Sequence, residues 1–360
     1  MAEKIKVLVV DDSALVRKII TDILESDPMI EVVGTANNGK SAIFKNQTLD
    51  PDVITLDIEM PILDGLQALQ EIIRTHPKPV IMMSVLTQHG ADATFKALEY
   101  GAVDFIPKPS SVLSLSVEDI ADLLISKIKA VHRSDIKFHV KEEDYTERPT
   151  EKTIFEPVEE TRAAPLTVEK KESSKIVGIG TSTGGPSALL KVFQNLPSDI
   201  PTPIMVVQHM PAGFTSAFAE RLNNTCPMNI KEAVDGDEVR PGWGYIAPGD
   251  KHMVLENKGK KKLIRISEGD KVSGHRPSID VLFNSMAEIK SSDALGVIMT
   301  GMGKDGSQGI MQIFKKGGYT LAQNEETSVV YGMNRVAVEI GAIREIVSLS
   351  DMAQRIVDNL

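Results

Sequence analysis

Cysteine is nearly absent from this chain, because Cys226 is the only one among 360 residues. A single cysteine excludes an intramolecular disulfide and any metal site built on a CxxC pair. Cys226 directly precedes Pro227, where a helix is expected to end. We therefore interpret it as a structural or surface thiol rather than as a nucleophile.

Long hydrophobic runs and an excess of basic residues are also missing. No stretch reaches the roughly 18 apolar residues of a membrane-spanning helix, and residues 1–4 lack the start of a signal peptide. We therefore expect a cytoplasmic protein without membrane insertion. The formal net charge is −10, from 40 Lys and Arg against 50 Asp and Glu, which disfavours general binding of nucleic acid. At 360 residues the chain is long enough for two globular domains. Its 42% hydrophobic residues are enough to form a core in each domain.

The first 131 residues alternate short apolar runs with segments of helical periodicity. This alternation predicts an α/β fold, a doubly wound parallel sheet in which ligands bind beyond the carboxyl ends of the strands. The predicted strands are 5–10, 30–35, 53–56, 80–83 and 104–106, and the predicted helices are 14–25, 39–48, 65–75, 92–100 and 117–132.

Polar residues stand at four of these strand ends. Asp11 and Asp12 follow the first strand, Asp57 the third, Ser84 the fourth and Lys108 the fifth. Carboxylates gathered in one crevice repel one another unless a cation lies among them, and their oxygens suit Mg²⁺. One of them can then attack a phosphoryl group. Each Asp alone is typical of a turn or cap, but their order along the sheet favours a phosphoryl site.

The segment KIVGIGTSTGGPSALL, residues 175–190, predicts a strand that turns sharply into a helix. Its turn matches G-x-S-x-G around Ser182, a spacing that exposes a serine hydroxyl at the bend. The N–H groups of Gly184 and Gly185 would then stabilise an oxyanion. A phosphate-binding loop and a purely structural turn are alternatives for the same pattern. A base and an orienting group near Ser182 would favour the nucleophile over these alternatives.

Two candidate partners follow other predicted strands. His209 follows strand 204–208, and Asp305 lies in a glycine-rich turn after strand 294–300. A serine nucleophile needs a base and a third group that orients the base, and strand ends of one sheet share one crevice. Alone, His209 is also compatible with a helix cap and Asp305 with a turn. The order Ser, His, Asp differs from that of α/β-hydrolases.

The remaining elements define a second α/β domain and a linker. Residues 132–174 contain charged runs, three prolines and few large apolar side chains, which predicts a flexible linker. Short strands between residues 243 and 267 predict a β-hairpin insert. The other predicted strands are 176–180 and 319–323, and the predicted helices are 186–194, 215–223, 278–289, 308–316 and 335–340.

The motifs VLVVDDSALVRK, DVITLDIEMPILDG and GAVDFIPKP resemble those of a two-component response-regulator receiver domain. The resemblance covers about the first third of the chain. It implies a flavodoxin-like fold, phosphorylation of Asp57, and Mg²⁺ bound by Asp12, Asp57 and the main chain of Glu59. The residues that it implies for the phosphorylation switch are Asp11, Ser84, Phe105 and Lys108.

Residues 175–360 resemble a chemotaxis-type protein-glutamate methylesterase domain. The motifs that carry the resemblance are GIGTSTGGP, QHMPAGFTSAFAERLN, YIAPGDKHM, HRPSIDVLF, GVIMTGMGKDG and AQNEETSVVYGMNR. It implies a Rossmann-like fold in which Ser182 is the nucleophile, His209 the general base and then acid, and Asp305 the residue that orients His209.

The same resemblance implies further roles around the reacting serine. Main-chain N–H groups near Thr183 and Met302 would stabilise the tetrahedral intermediate. His275 and Arg276 would lie near the substrate entrance, although a cap at the start of the following helix is an alternative for this pair.

Together, the resemblances imply a receiver domain at 1–131, a linker at 132–174 and a catalytic domain at 175–360. The implied reaction is hydrolysis of glutamate methyl esters on methyl-accepting chemotaxis receptors, with deamidation of receptor glutamines as a second activity. Mg²⁺ in the receiver is the expected cofactor, and ester hydrolysis needs none. A chemotaxis histidine kinase is the implied phosphodonor, and the unphosphorylated receiver is expected to cover the Ser182 crevice.

Two other classes of function are compatible with parts of the sequence. One is a phosphorylation-switched binding module without catalysis, which the presence of Ser182, His209 and Asp305 disfavours. The other is a dinucleotide-dependent enzyme that binds phosphate at residues 178–185. There Thr183 replaces the third glycine of the fingerprint, and only Asp199 lies near the position of the usual acidic residue.

Overall fold

A computed structural model describes residues 3–85, 88–109, 117–134, 174–259 and 261–360. Residues 135–173 of the predicted linker lie outside the described residues. The described residues form two α/β units, here called the N-terminal unit (3–134) and the C-terminal unit (174–360), each with its own parallel sheet. The predicted fold class is confirmed.

The N-terminal unit contains the five predicted strand and helix pairs. They are β1 Ile5–Val10, α1 Ala14–Glu25, β2 Ile30–Ala36, α2 Gly39–Leu49, β3 Val53–Asp57, α3 Gly65–Thr75, β4 Val80–Ser84, α4 Gln88–Glu99, β5 Asp104–Pro107 and α5 Val117–His132. The sheet has the order β2-β1-β3-β4-β5, which is the flavodoxin-like order. Helix α4 starts four residues before its predicted start at residue 92.

The local sequence explains where these elements begin. Helix α3 buries Ala68, Leu69 and Ile72 on one face, as expected for an amphipathic helix on a sheet. It starts with a capping box, in which the Asp64 side chain accepts from the backbone of Gln67 and the Gln67 side chain accepts from the backbone of Asp64. Strands β3 and β4 are buried along their whole length, because helices cover both faces of a parallel sheet.

The C-terminal unit has a larger sheet. Its elements are β6 Ile176–Thr181, α6 Gly185–Asn195, β7 Ile204–Gln208, α7 Phe214–Thr225, β8 Asn229–Glu232, β9 Trp243–Ile246, β10 His252–Lys258, β11 Lys261–Ser267, α8 Ile279–Lys290, β12 Ala294–Ile298, α9 Ser307–Lys315, β13 Tyr319–Gln323, α10 Met333–Glu339, β14 Glu345–Val347 and α11 Met352–Asp358. Seven strands form one parallel sheet in the order β14-β13-β12-β6-β7-β9-β8.

The prediction that residues 243–247 belong to the hairpin insert is wrong. Strand β9 pairs in parallel with β7 and β8 inside the main sheet, and only β10 and β11 form the antiparallel hairpin. Three of the four β9 residues are buried, as expected for a sheet covered on both faces. The short elements β8, β14 and α11 were not predicted.

The strand order of the C-terminal sheet determines where a crevice opens. In the C-terminal unit the chain adds strands on one side of β6 and then returns to add β12 on the other side. A crevice opens at such a reversal, beyond the carboxyl ends of the strands. Residues that follow β6, β7 and β12 therefore share one crevice. No helix among the described residues is long and apolar enough to span a bilayer.

The two units share an apolar interface. Phe95 of α4 packs against Phe218 of α7 with a ring centroid distance of 5.3 Å. Phe105 of β5 packs against Phe214 at 4.8 Å. Buried residues of both units belong to one continuous hydrophobic cluster, and Glu99 forms an ion pair with Arg221 at its edge.

Gly65 allows the loop after β3 to lie close to the start of α3. A Cβ atom at Gly65 would lie 1.9 Å from the carbonyl oxygen of Asp57. We therefore expect Gly65→Ala to lower the free energy of unfolding by about 2 kcal/mol, because backbone must move to relieve the overlap. Denaturant unfolding measures the change.

Gly269→Ala is the matched control for this substitution. The nearest atom to a Cβ at Gly269 is 3.8 Å away, so its effect should stay within about 0.5 kcal/mol. Equal stability of the two variants would show that the loop after β3 relaxes without strain.

Candidate active site and phosphoacceptor pocket

Ser182 occupies the first position after β6. Its N–H donates to the carbonyl oxygen of Thr300 at 3.0 Å, and its carbonyl accepts from the Gly185 N–H at 2.8 Å. Gly184 has a φ of +75°, and a Cβ there would meet Val329 at 2.5 Å, so the turn requires glycine on both grounds. These contacts hold Ser182, which is 8% exposed, at the base of the crevice.

His209 occupies the corresponding position after β7. Its backbone N–H donates to the carbonyl oxygen of Thr181 at 3.1 Å, which fixes the residue beside the turn that carries Ser182. Its Nε2 lies 2.8 Å from Oδ2 of Asp305. Its Nδ1 is buried and has no hydrogen-bond partner among the residues that the structure describes. Nδ1 is thus the ring nitrogen that remains for a reacting group.

Asp305 follows β12 and lies at the N-terminus of α8. Its Oδ2 accepts the Ile279 N–H at 2.7 Å, and its Oδ1 accepts the Ser278 hydroxyl at 2.8 Å and the Asp280 N–H at 3.1 Å. The unpaired N–H groups and dipole of a helix start favour an anion. Burial opposes ionisation, but the hydrogen bonds from His209, Ile279 and Ser278 outweigh it and hold the pKa of Asp305 below its ordinary value.

Asp280 is a second buried carboxyl in this region and was not identified from the sequence. Burial and the nearby charge of Asp305 raise its pKa above the ordinary value, although it accepts the Gly309 N–H at 2.7 Å. Of the two carboxyls, Asp305 is therefore the one that carries negative charge more readily. The motif HRPSID contains both Ser278 and Asp280, and its helix-start pattern was the available signal.

The predicted oxyanion donors differ in their availability. The Gly185 N–H donates to Ser182 within the turn, so the expectation that it stabilises an oxyanion is wrong. The N–H groups of Thr183 and Met302 have no partner among the described residues. Both residues adjoin the crevice, because a Cβ at Gly301 would lie 2.8 Å from the Cβ of Ser182. These two N–H groups remain candidates for binding developing charge.

His275 and Arg276 make different contacts. The His275 ring stacks on the His209 ring, with a centroid distance of 3.8 Å and an interplanar angle of 9°. Arg276 instead donates to Oδ1 of Asp250 at 2.8 and 3.0 Å. It also donates to two backbone carbonyls at 3.0 and 3.1 Å. The N-cap of α8 is Ser278, so the alternative that this pair caps the helix is wrong.

The N-terminal unit gathers its charged residues beyond β1, β3 and β5. Lys108 Nζ lies 2.8 Å from Asp11 and 2.7 Å from Asp57. Carboxylate oxygens of Asp11, Asp12 and Asp57 lie within 4.8 Å of one another. Asp57 and Asp11 are buried and Asp12 is exposed, so the cluster is open to solvent on one side. An all-oxygen cluster of this kind fits a hard cation such as Mg²⁺.

Burial raises the pKa of Asp57 to about 6, although the hydrogen bond from Lys108 acts in the opposite direction. Burial lowers the pKa of Lys108, but its hydrogen bonds to Asp11 and Asp57 produce a net increase. Glu59 contributes its N–H to Asp57 at 3.4 Å. The pocket therefore combines a buried carboxyl with a fixed cation.

Ser84 and Phe105 connect this pocket with the interface between the units. The Ser84 Oγ accepts from the Thr94 hydroxyl at 2.6 Å, and Thr94 precedes Phe95 on α4. Phe105 is 4% exposed and contacts Phe95 and Phe214. Ser84 thus contacts α4 through Thr94, and Phe105 contacts α7 of the C-terminal unit through Phe214.

Two family models match separate parts of this chain. A model of the CheB methylesterase family matches residues 177–356, and one of the response regulator receiver domain matches residues 7–117. The chain belongs to the CheB methylesterase family.

Individual relatives extend over the whole chain. A protein-glutamate methylesterase/protein-glutamine glutaminase of Halalkalibacterium halodurans is 45% identical over 360 residues and 99% of both chains. A protein of the same name from Pyrococcus horikoshii is 44% identical over 99% of this chain and 94% of that protein. The crystal structure of the Thermotoga maritima CheB methylesterase catalytic domain covers 52% of this chain and 100% of its own, with 42% identity and a TM-score of 0.51.

In this member of the CheB methylesterase family, Ser182, His209 and Asp305 all lie inside the segment that matches the family model. Asp11, Asp12, Asp57, Ser84 and Lys108 all lie inside the receiver match. The catalytic, oxyanion, metal-binding and phosphorylation roles that the resemblance implies for individual residues remain predictions.

The raised pKa of Asp57 predicts a pH-dependent stability difference in buffer without Mg²⁺. A carboxyl whose pKa rises on folding stabilises the protein below its unfolded pKa of 3.8, and this contribution is lost as the pH rises through about 6. We expect Asp57→Asn to match the wild type near pH 4 and to exceed it by roughly 2 kcal/mol above pH 6. Chemical denaturation across this pH range measures the difference.

Asp50→Asn provides a control of opposite sign. Hydrogen bonds from Lys78 and His76 lower the pKa of Asp50 to about 2, so removal of its charge should reduce stability at neutral pH. A stability gain for Asp57→Asn that did not change between pH 4 and 7 would contradict the pKa explanation.

Proposed function

We propose that this chain is a phosphorylation-regulated protein-glutamate methylesterase, with deamidation of protein glutamines as a second activity. The observation that carries the proposal is the contact of His209 with Asp305 at 2.8 Å, in the crevice where Ser182 follows the adjacent strand β6. Relatives that match the full length carry both activities in their names. The proposed substrates are methyl-accepting chemotaxis receptors.

In the proposed reaction, the Ser182 hydroxyl attacks the ester carbonyl carbon and His209 takes its proton through Nδ1. The tetrahedral intermediate collapses, the bond to methoxide breaks, and His209 returns the proton so that methanol leaves. Water, activated by His209, then attacks the acyl-enzyme, and the glutamate carboxylate is released as Ser182 regains its proton. With glutamine as substrate, ammonia leaves in place of methanol.

The neighbouring groups would stabilise the charges that form during this reaction. Asp305 is held ionised at the start of α8 and pairs with the imidazolium form of His209. The N–H groups of Thr183 and Met302 would bind the oxyanion, where such donors typically contribute about a hundredfold in rate or more. The resulting arrangement needs no cofactor for ester hydrolysis.

The N-terminal unit would regulate access to this crevice. Asp119 of α5 lies 3.5 Å from Lys271, close to His275 in the chain, and Val329 packs against the core of the N-terminal unit. These contacts support a closed arrangement that excludes a large helical substrate. Opening would then be a population shift between two arrangements.

Phosphorylation of Asp57, with a chemotaxis histidine kinase as donor, would open this arrangement. Mg²⁺ held by Asp12, Asp57 and the main chain of Glu59 would neutralise charge during phosphoryl transfer. Ser84 would leave Thr94 to bind the phosphoryl group. The change would loosen α4 and its contact through Phe95 with the C-terminal unit.

Methanol release from methylated receptor fragments tests the activity and its regulation together. We expect wild-type release to rise severalfold with a small phosphodonor and Mg²⁺. Ser182→Ala should reduce release by at least about a thousandfold. Asp57→Asn should retain the unstimulated rate and lose the stimulation.

The outcomes separate the alternatives. If wild type and Ser182→Ala release methanol equally slowly from several receptors, the catalytic proposal fails and a binding module becomes the better explanation. If Asp57→Asn is still stimulated, the enzyme stands and the phosphorylation site is elsewhere.

A charge swap tests the closed arrangement. Glu99 and Arg221 pair across the interface, so Glu99→Arg should place two cations together and raise the unstimulated rate by about two- to fivefold, the size expected for a surface pair. The double variant Glu99→Arg, Arg221→Glu should restore the low rate.

Glu71→Arg on the outer face of α3 is the control and should leave the rate unchanged, since its partner Arg74 lies on the same helix. A double variant as active as the single variant would contradict a role of this contact in closure.

A further inference from the structure

His275 contacts the proposed general base in a way that the reaction described above does not use. Its ring covers one face of the His209 ring at a centroid distance of 3.8 Å and an angle of 9°. Asp305 holds the same ring at its edge, through Nε2. One contact at the edge and one at the face together prevent the ring from turning, and they leave Nδ1 as the free nitrogen.

The backbone around His275 fixes its side chain before any substrate binds. Val272 and His275 exchange two backbone hydrogen bonds of 2.9 and 3.0 Å around a two-residue turn, in which Ser273 and Gly274 both have positive φ. The Ser278 N–H donates to Nδ1 of His252 at 3.2 Å. The ring is thus carried by a short segment that is anchored at both ends.

Charge limits what His275 can do at this position. Two imidazolium rings in van der Waals contact would repel each other, so His275 has to be neutral when His209 accepts a proton. Four charged or titratable groups affect the pKa of His275. Burial and the charge of His209 lower the pKa of His275 to about 4, with Lys127 and Lys271 acting in the same direction and Asp305 opposing them.

From this geometry we infer that His275 is a positioning residue: its neutral ring stacks on His209, holds the ring of the base in one orientation, and keeps water from one face of the imidazolium. The inference rests on the proposed function of His209 as the base. This positioning role differs from a substrate contact, because it affects the rate of the chemical step and leaves substrate binding unchanged. It also differs from acid or base catalysis by His275, because the flat ring is needed and its nitrogens are not.

The test compares three substitutions in the full-length chain, assayed with phosphodonor and Mg²⁺ on methylated receptor fragments. His275→Phe keeps a flat ring, His275→Leu keeps apolar volume without a flat ring, and His275→Ala removes both. Val234→Ala, an exposed valine (59%) outside this turn, is the matched control. The measurements are kcat, KM and the pH dependence of kcat.

We expect His275→Ala and His275→Leu to lower kcat by about tenfold or more, the size expected for a misaligned base, with KM within about twofold. His275→Phe should retain kcat within about threefold. The acid limb of the pH profile should move to higher pH in His275→Ala, because water at the exposed ring face stabilises the imidazolium. Val234→Ala should behave as the wild type.

Three results would overturn the inference. They are an unchanged kcat in His275→Ala, a raised KM at unchanged kcat, and a His275→Phe variant as slow as His275→Leu. Circular dichroism confirms folding, and if His275→Ala does not fold, the comparison of Phe with Leu still decides.

Failure of the proposed substrate can be told apart from failure of this inference. Hydrolysis of p-nitrophenyl acetate, lost in Ser182→Ala, reports on the same serine and base without a receptor. If the wild type hydrolyses this ester but not receptor methyl esters, the substrate proposal fails, and the variants are then compared on p-nitrophenyl acetate.

Discussion

The crevice of the C-terminal unit depends on the hydrogen bonds between the Asp305 carboxylate and the start of α8. It accepts from two backbone N–H groups and from the Ser278 hydroxyl, and it holds His209 through Nε2. The loop after β12, the start of α8 and the loop after β7 are therefore joined through one buried anion. An unpaired buried charge is strongly destabilising, so the Asp305 carboxylate must keep its hydrogen-bond donors. This one requirement fixes the geometry of all three segments.

The sequence was informative wherever a side chain follows a buried strand. Parallel strands impose one rule, that their carboxyl ends meet, and this rule alone brought Ser182, His209 and Asp305 to one edge. The same rule located Asp11, Asp57 and Lys108. Strand β9 was assigned to the wrong sheet, because a short apolar run carries no information about which neighbour it pairs with.

Other features of the site depend on contacts that no periodicity encodes. The Gly185 N–H is used within its own turn, which depends on the exact path of the backbone after Ser182. His275 reaches His209 through a two-residue turn far along the chain, and Arg276 is occupied by Asp250 and two carbonyls of a loop. Such contacts follow from tertiary packing, so the sequence alone does not distinguish the stacking residue His275 from its neighbour Arg276.

The aromatic interface between the units has a thermal consequence. Phe95, Phe105, Phe214 and Phe218 meet in a continuous apolar cluster, so separation of the units would expose carbon surface to water. The attraction between such surfaces is mainly entropic near room temperature and weakens on cooling, with a marked change in heat capacity. An opening equilibrium that separates these four rings would therefore shift toward the open arrangement in the cold. The fraction of open molecules in the unphosphorylated protein would then depend on temperature through apolar contact rather than through charge.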